Sequence, residues 1–99
     1  MRMMLRARMD TALGNEAVRS GQVEGMLRRM MEELRPEAAY FVAEEGRRAA
    51  ILVFDMQDPS QVPAVCEPLF LTVGAEVTLQ PCMDMDDLRR GLEALGDRQ

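Results

Sequence analysis

Arginines and a few isolated polar side chains are the residues of this chain that could do chemistry. Arg2, Arg6 and Arg8 share one parity in the first nine residues, which indicates one face of a β-strand. We expect Arg8 to lie near Glu76 and Arg2 toward Asp55, whereas Arg6 has no obvious carboxylate neighbour. Arg6 is therefore expected either to supply the counter-charge for an anionic ligand, or to form an interchain salt bridge or reach solvent.

Three further polar side chains share the face of Arg6. Strand parity places Tyr40, Thr78 and Gln80 on that face. A phenol, a hydroxyl and an amide beside a guanidinium can meet an anionic or carbonyl group, so these four residues are the predicted ligand-binding set. The catalytic residues stay unassigned, because no motif fixes a reaction.

Several catalytic devices are missing from the composition. The chain has no histidine, and all 12 of its basic residues are arginine, which removes an imidazole base and a Schiff-base lysine. Cys66 and Cys82 lack metal-ligand spacing, and Asp84, Asp86 and Asp87 have the pattern of a helix first turn. We therefore predict no metal and no cofactor.

The charge balance limits the partners. The net charge is −5 and the pI is about 4.7, which opposes binding to nucleic acid or to an acidic lipid surface. The start of the chain has arginines where a signal peptide or a membrane span needs an apolar run. With only two unclustered cysteines, a cytoplasmic location is expected.

The apolar periodicities predict four strands and three main helices. Residues 1–9, 38–44, 47–56 and 75–83 show strand patterns, and Glu45-Gly46 fits a two-residue hairpin. A first helical segment breaks at Gly21 before the main helix, and the helix capped at Asp58 holds Pro63 and Pro68, which no pattern explains. A closing helix runs from Asp84 to Gly96. Its apolar residues are expected to face inward: Met85, Leu88, Leu92 and Leu95.

The β-α-β-β-α-β order predicts an α+β fold, a single ferredoxin-like domain over residues 1–99 with an antiparallel sheet of order 4-1-3-2 and the helices on one face. Residues 49–54 are continuously apolar, as in a strand that is buried on both sides. Because the helices cover one side only, the other side needs a second molecule, a ligand or both. We therefore predict a homodimer with Met4, Val42, Ile51 and Val53 in its interface.

Residues 51–61 read Ile-Leu-Val-Phe-Asp-Met-Gln-Asp-Pro-Ser-Gln. In this stretch the chain resembles uncharacterised small bacterial proteins of the dimeric α+β barrel group, and the resemblance implies no particular activity. This resemblance implies two sheets that pack face to face and enclose a cavity. The haem-degrading members use His and Trp, and this chain has neither. Cofactor-independent oxygenases and isomerases of the group use Asn, Tyr, Arg or carboxylates, and Asn15 and Tyr40 are the only residues of their types here.

Three functional interpretations follow. The first is a homodimeric protein that binds a small, partly apolar or anionic molecule between its sheets. The second is a cofactor-independent oxygenase or isomerase that uses Arg6 and Tyr40. The third is a dimeric interaction module whose interface is filled by side chains and binds no ligand.

Overall fold

The fold is known from a computed structural model that describes residues 1–96. The predicted domain extends to residue 99, and residues 97–99 lie outside the described part. Within the described range the chain forms an α+β fold with four strands and four helices. In chain order the elements are β1 (Arg2–Arg8), α1 (Thr11–Ser20), α2 (Gln22–Leu34), β2 (Ala38–Glu44), β3 (Arg47–Asp55), a 3₁₀ turn (Pro59–Gln61), α3 (Val62–Val73), β4 (Glu76–Pro81) and α4 (Met85–Gly96).

The sheet is antiparallel and has the order β2-β3-β1-β4, which is the predicted order counted from the other edge. The β2–β3 hairpin turns at Glu45 and Gly46, both with positive φ, as in a two-residue hairpin turn. Tyr40 is therefore opposite Ile51, which confirms the predicted register. A slip of one residue would exchange the two faces of the sheet.

Helices α1 and α2 form as predicted, with a break at Gly21, whose φ of 81° suits glycine. The Asp10 carboxylate caps α1 by accepting a hydrogen bond from the backbone N–H of Leu13 at 2.9 Å. In α2 the apolar stripe faces the sheet, and Met26 and Met30 are fully buried. Helix α2 ends at Leu34, before Pro36.

Helix α3 accommodates both of its prolines. The predicted capping box of Asp58 and Gln61 is present, and Pro63 lies in the first turn, where its missing N–H is not needed. Pro68 lies in the helix interior, yet the helix continues to Val73. The carbonyl of Ala64 loses its helical donor there, and Ala64 is exposed, so water can replace it.

The hydrophobic core lies between the helices and one face of the sheet. Leu5, Leu52 and Val73 are completely buried in it. Four apolar residues whose strand parity or helical spacing is that of buried residues are exposed instead: Phe41 and Ala43 on the edge strand β2, and Val62 and Phe70 on α3. On β2 the cause is that the helices do not cover this edge of the sheet.

The packing of helix α4 differs most from the sequence-based prediction. The helix forms where predicted, but Met85, Leu92 and Leu95 are 72%, 57% and 57% exposed, and Leu88 is also exposed. Among residues 1–96, α4 packs extensively against no other element. The radius of gyration is 16.0 Å, whereas about 13 Å is usual for this length. Helix α4 thus projects from the domain.

None of the helices in the described range is long and apolar enough to cross a membrane.

Candidate functional site

The candidate site lies on the face of the sheet that helices α1, α2 and α3 leave uncovered, here called the open face. Strand pairing places residues of all four strands in rows across this face. The first row is Tyr40, Ile51, Arg6 and Thr78, and the second is Ala38, Val53, Met4 and Gln80. The structure therefore places the four residues predicted to bind a ligand on one face, with Tyr40 on one edge strand and Thr78 and Gln80 on the other. Whether they bind one stays a prediction.

The middle of the open face is largely apolar. We call it the central patch, and it consists of Met4, Ala38, Tyr40, Val42, Ile51, Val53, Thr78 and Gln80. Tyr40 is 65% exposed and Val42 is 42% exposed, while Met4, Ile51 and Val53 are half-buried. All four predicted interface residues belong to this patch, and no part of the chain within residues 1–96 packs over it.

The polar side chains of the central patch retain their hydrogen-bonding capacity. Within the described residues, the side chains of Tyr40, Thr78 and Gln80 form no hydrogen bond to another protein group. The Tyr40 hydroxyl can donate and accept, as can the Thr78 hydroxyl, and the Gln80 amide offers both functions as well. An oxygen or nitrogen of a bound molecule could therefore find a partner at either edge of the sheet.

Arg6 has a carboxylate partner that the sequence analysis missed. Its Nη1 donates a hydrogen bond to Oε1 of Glu44 on the edge strand β2. The Arg6 side chain thus crosses β3, and Ala49 on the same face is only 3% exposed. Parity was the available signal, because Glu44 is two residues after Val42 and four after Tyr40 and so faces the same way.

Arg6 and Glu44 are part of a larger ionic network at the hairpin end of the open face. This hairpin-end cluster contains three arginines and three glutamates: Arg6, Arg8, Arg47, Glu44, Glu45 and Glu76. Arg8 donates to Glu76 at 2.9 Å, which confirms their predicted proximity, and to Glu45 at 2.7 Å. Hydrogen bonds from Arg47 and Arg8 lower the pKa of Glu76. The cluster is neutral as a whole.

A second ionic network lies at the opposite end of the open face. Arg2 Nε donates to Glu37 at 2.6 Å, and Arg2 Nη1 contacts Asp87 at 2.8 Å and Asp84 at 3.2 Å. We call Arg2, Glu37, Asp84 and Asp87 the α4-end cluster. The backbone N–H of Asp84, together with the charges of Arg90 and Arg2, lowers the pKa of Asp87.

Asp55 is next to Arg2 in the register, as predicted, but it does not form the main partner of that arginine. Its carboxylate accepts a hydrogen bond from the amino group of Met1 at 2.6 Å. This contact lowers the pKa of Asp55, and the charge of Arg2 adds a smaller effect. Glu37 was not predicted as a partner; it directly precedes β2, and the Arg2 side chain reaches it across β3.

The remaining reactive groups do not converge on the central patch. Cys66 lies on the buried side of α3, where burial raises the pKa of its thiol, and Cys82 is half-buried at the edge of the open face. The carboxylate of Asp84 accepts a hydrogen bond from the backbone N–H of Asp87 at 2.8 Å, as a helix cap does. In the part of the chain that the structure describes, no three acidic or thiol groups are placed to hold a metal.

Hollows outside the open face were not predicted, and two of them have apolar residues in their lining. A cavity of about 380 Å³ lies between the end of α2 and the start of α3, and it includes Leu34, Arg35 and Phe54. A groove of about 400 Å³ lies where α1 and α2 meet the edge strand β2, and we call it the β2-edge groove. It is lined mainly by Met9, Val18, Val23, Leu27, Phe41 and Val42.

Comparison with models of known protein families gives no match to this chain, and comparison with curated proteins gives none either.

Proposed function

We propose that the protein is a homodimer that binds a small, partly apolar molecule between two open faces. The carrying observation is the central patch, an apolar surface that the chain leaves uncovered between two ionic clusters. Burial of large apolar side chains such as Ile51 and Val53 stabilises by about 1.5–3 kcal/mol each. A second open face can supply that burial.

The arrangement of charge favours a molecule with a carbonyl or hydroxyl oxygen over a strong anion. Arg6 is neutralised by Glu44, and Arg8 is neutralised by Glu45 and Glu76. Arg6 nevertheless uses Nη1 in that pair, so its other N–H groups can donate to a neutral oxygen. Tyr40, Thr78 and Gln80 can complete the hydrogen bonds, while the apolar side chains contact the rest of the molecule.

The same surface is compatible with the dimeric α+β barrel arrangement that the resemblance implies. In such an arrangement the two central patches face each other across a cavity, and the ionic clusters lie at its ends. A cofactor-independent oxygenase or isomerase would need a substrate held between Arg6 and Tyr40, which occupy the same row. A filled interface would instead give an interaction module without a ligand.

The first test is native mass spectrometry of freshly purified protein, because it reports subunit number and retained molecules together. We expect a dimer, with additional mass from a small molecule in part of the population. A thermal-shift screen of phenols, ketones and carboxylic acids follows. Neutral carbonyl and phenolic compounds should raise the melting temperature more than the carboxylates.

Variants of the patch identify the binding groups. Tyr40→Phe and Arg6→Met should reduce the thermal shift of an active compound while the dimer stays intact. Arg28→Met is the matched control, because Arg28 is an exposed arginine on α2 that pairs with Glu24. A dimer that retains no molecule and responds to no compound overturns the binding proposal and favours the interaction module. Turnover of a bound compound would favour the enzyme.

A further inference from the structure

We infer that α4 packs into the β2-edge groove of a second copy of this chain. The inference deepens the proposed homodimer and rests on it. Two apolar surfaces outside the central patch carry the inference, one on α4 and one in the groove. Each is exposed in the single chain, and each is predominantly apolar.

Helix α4 carries a continuous apolar stripe without a partner. Met85, Leu88, Leu92 and Leu95 follow the spacing of one helix face over three turns. An isolated helix of this length is marginal in water, so packing must stabilise it. Within the described residues, the ion pairs that tie α4 to the rest of the chain are those of Arg2 with Asp87, in its first turn, and with the preceding residue Asp84.

The β2-edge groove is suited to receive such a helix. Its lining is predominantly apolar, and Val18 and Phe41 are 47% and 55% exposed. A groove between two helices and a strand is a common site for the apolar face of an amphipathic helix. The Phe41 ring would be covered by α4, which explains an aromatic residue on an edge strand.

The topology prevents α4 from reaching the groove of its own chain. Strand β4, which leads into α4, and strand β2 form opposite edges of the sheet. They also differ along the strand direction, because Pro81 pairs with Met3, whereas Val42 lies in the row of Arg8. Helix α4 and the groove therefore lie at opposite corners of the molecule, and in a twofold dimer each α4 would enter the partner's groove.

The contact with Arg2 directs α4 toward a partner. Arg2 belongs to the open face, so its pairs with Asp84 and Asp87 hold the start of α4 on that side of the sheet. An interface takes about 20–30 residues on each side, more than α4 and the groove supply. The exchange would thus be continuous with the open-face interface. A lipid surface is a poor alternative, because Asp86, Asp87 and Glu93 outnumber Arg89 and Arg90 on the polar side.

Disulfide crosslinking tests the inference directly. Chains with Leu92→Cys and chains with Phe41→Cys, both carrying Cys82→Ser, are co-expressed and oxidised with oxidised glutathione. Both positions are exposed, so the substitutions leave the core of each chain unchanged. We expect a crosslinked dimer in the mixture and little in either chain alone. In the control, Leu92→Cys chains are combined with Glu24→Cys chains, whose new cysteine lies on the exposed side of α2. This mixture should give no crosslink.

A charge on the apolar stripe gives a second measurement. Leu92→Glu should raise the dimer dissociation constant at least tenfold, whereas Ala94→Glu, on the opposite side of the helix, should change it less than threefold. An unchanged constant for Leu92→Glu would overturn the inference.

The possible failures are distinguishable. Strong crosslinking of Leu92→Cys chains with one another would show that the two α4 helices pair, which overturns docking into the groove. Absence of the crosslink in a protein that sediments as a dimer overturns the inference and leaves the proposed dimer intact. A wild-type chain that sediments as a monomer overturns both.

Discussion

The two faces of the sheet differ although the same strands form both. On β1 the helix-covered face has Met3, Leu5 and Ala7, all buried, and the open face has Arg6 and Arg8, both half-buried. The helices of the same chain cover the first face and bury its apolar side chains. On the open face the chain pairs the charges at the two ends and leaves the apolar middle uncovered. One face thus stabilises the chain itself, and the other is the surface through which we propose that it associates.

The largest expected difference between the faces is in the stability of the monomer. Leu52 and Ile51 are neighbours on β3 and point to opposite faces, so they form a matched pair. Leu52→Ala should lower the free energy of unfolding by about 2–5 kcal/mol, because it leaves a cavity in the core. Ile51→Ala should cost less than about 1 kcal/mol in dilute solution, since that side chain is already half in water. Urea unfolding at low protein concentration measures both values, and equal losses would contradict the comparison.

Acid sensitivity should come mainly from the open-face side. The pKa values of Asp55, Glu76 and Asp87 are lowered from the ordinary values of 3.8 for Asp and 4.5 for Glu. A carboxylate with a lowered pKa in the folded state binds fewer protons than in the unfolded chain, so its contribution is complete above the ordinary value and is lost as the pH falls below it.

We therefore expect the melting temperature to be steady above about pH 5 and to fall progressively below about pH 4. Glu76→Gln should make this decline shallower, whereas Glu16→Gln, at an exposed position on α1, should not change it. Asp58, which caps the 3₁₀ turn, also has a lowered pKa and will contribute to the decline in both variants. A melting temperature that rises on acidification would contradict this account.

The smallest expected effect concerns Arg6. Its pair with Glu44 is partly exposed, and such pairs contribute less than about 1 kcal/mol. Glu44 also lies 3.7 Å from Arg8, so its carboxylate keeps a cationic neighbour when Arg6 is replaced. Arg6→Met should therefore hold or slightly raise the melting temperature and leave the dimer intact, as differential scanning calorimetry and light scattering can show. Dissociation of the dimer would identify Arg6 as an interchain salt bridge.

The fold could be predicted from sequence because local signals and strand parity agree. Glu45-Gly46 set the hairpin register, and the continuous apolar run around Ile51 marked a central strand. The positions that failed share one physical cause. Phe41 and Leu92 both show the parity or spacing of buried residues, but a pattern says only that a side chain avoids water and does not say which molecule covers it.

The residues of the candidate site could be predicted from the sequence, whereas the ion pairs among them could be predicted only in part. Parity alone placed Arg6, Tyr40, Thr78 and Gln80 on one face, because side chains alternate strictly along a strand. The Arg6–Glu44 pair was not predicted because it runs diagonally from β1 across β3 to β2. The prediction considered only residues directly opposite one another on neighbouring strands. Long side chains such as arginine reach beyond those neighbours, so their partners depend on the three-dimensional arrangement.

Sedimentation velocity of wild type and Ile51→Arg at micromolar concentration tests the central claim most directly. The account predicts that the wild type sediments as a dimer of twice the 11.2 kDa chain mass, and that Ile51→Arg sediments as a folded monomer. An arginine at that position would be buried without a partner in the dimer but solvated in the monomer. Circular dichroism confirms that the variant is folded. A monomeric wild type, or an Ile51→Arg variant that remains dimeric, would contradict association through the open face.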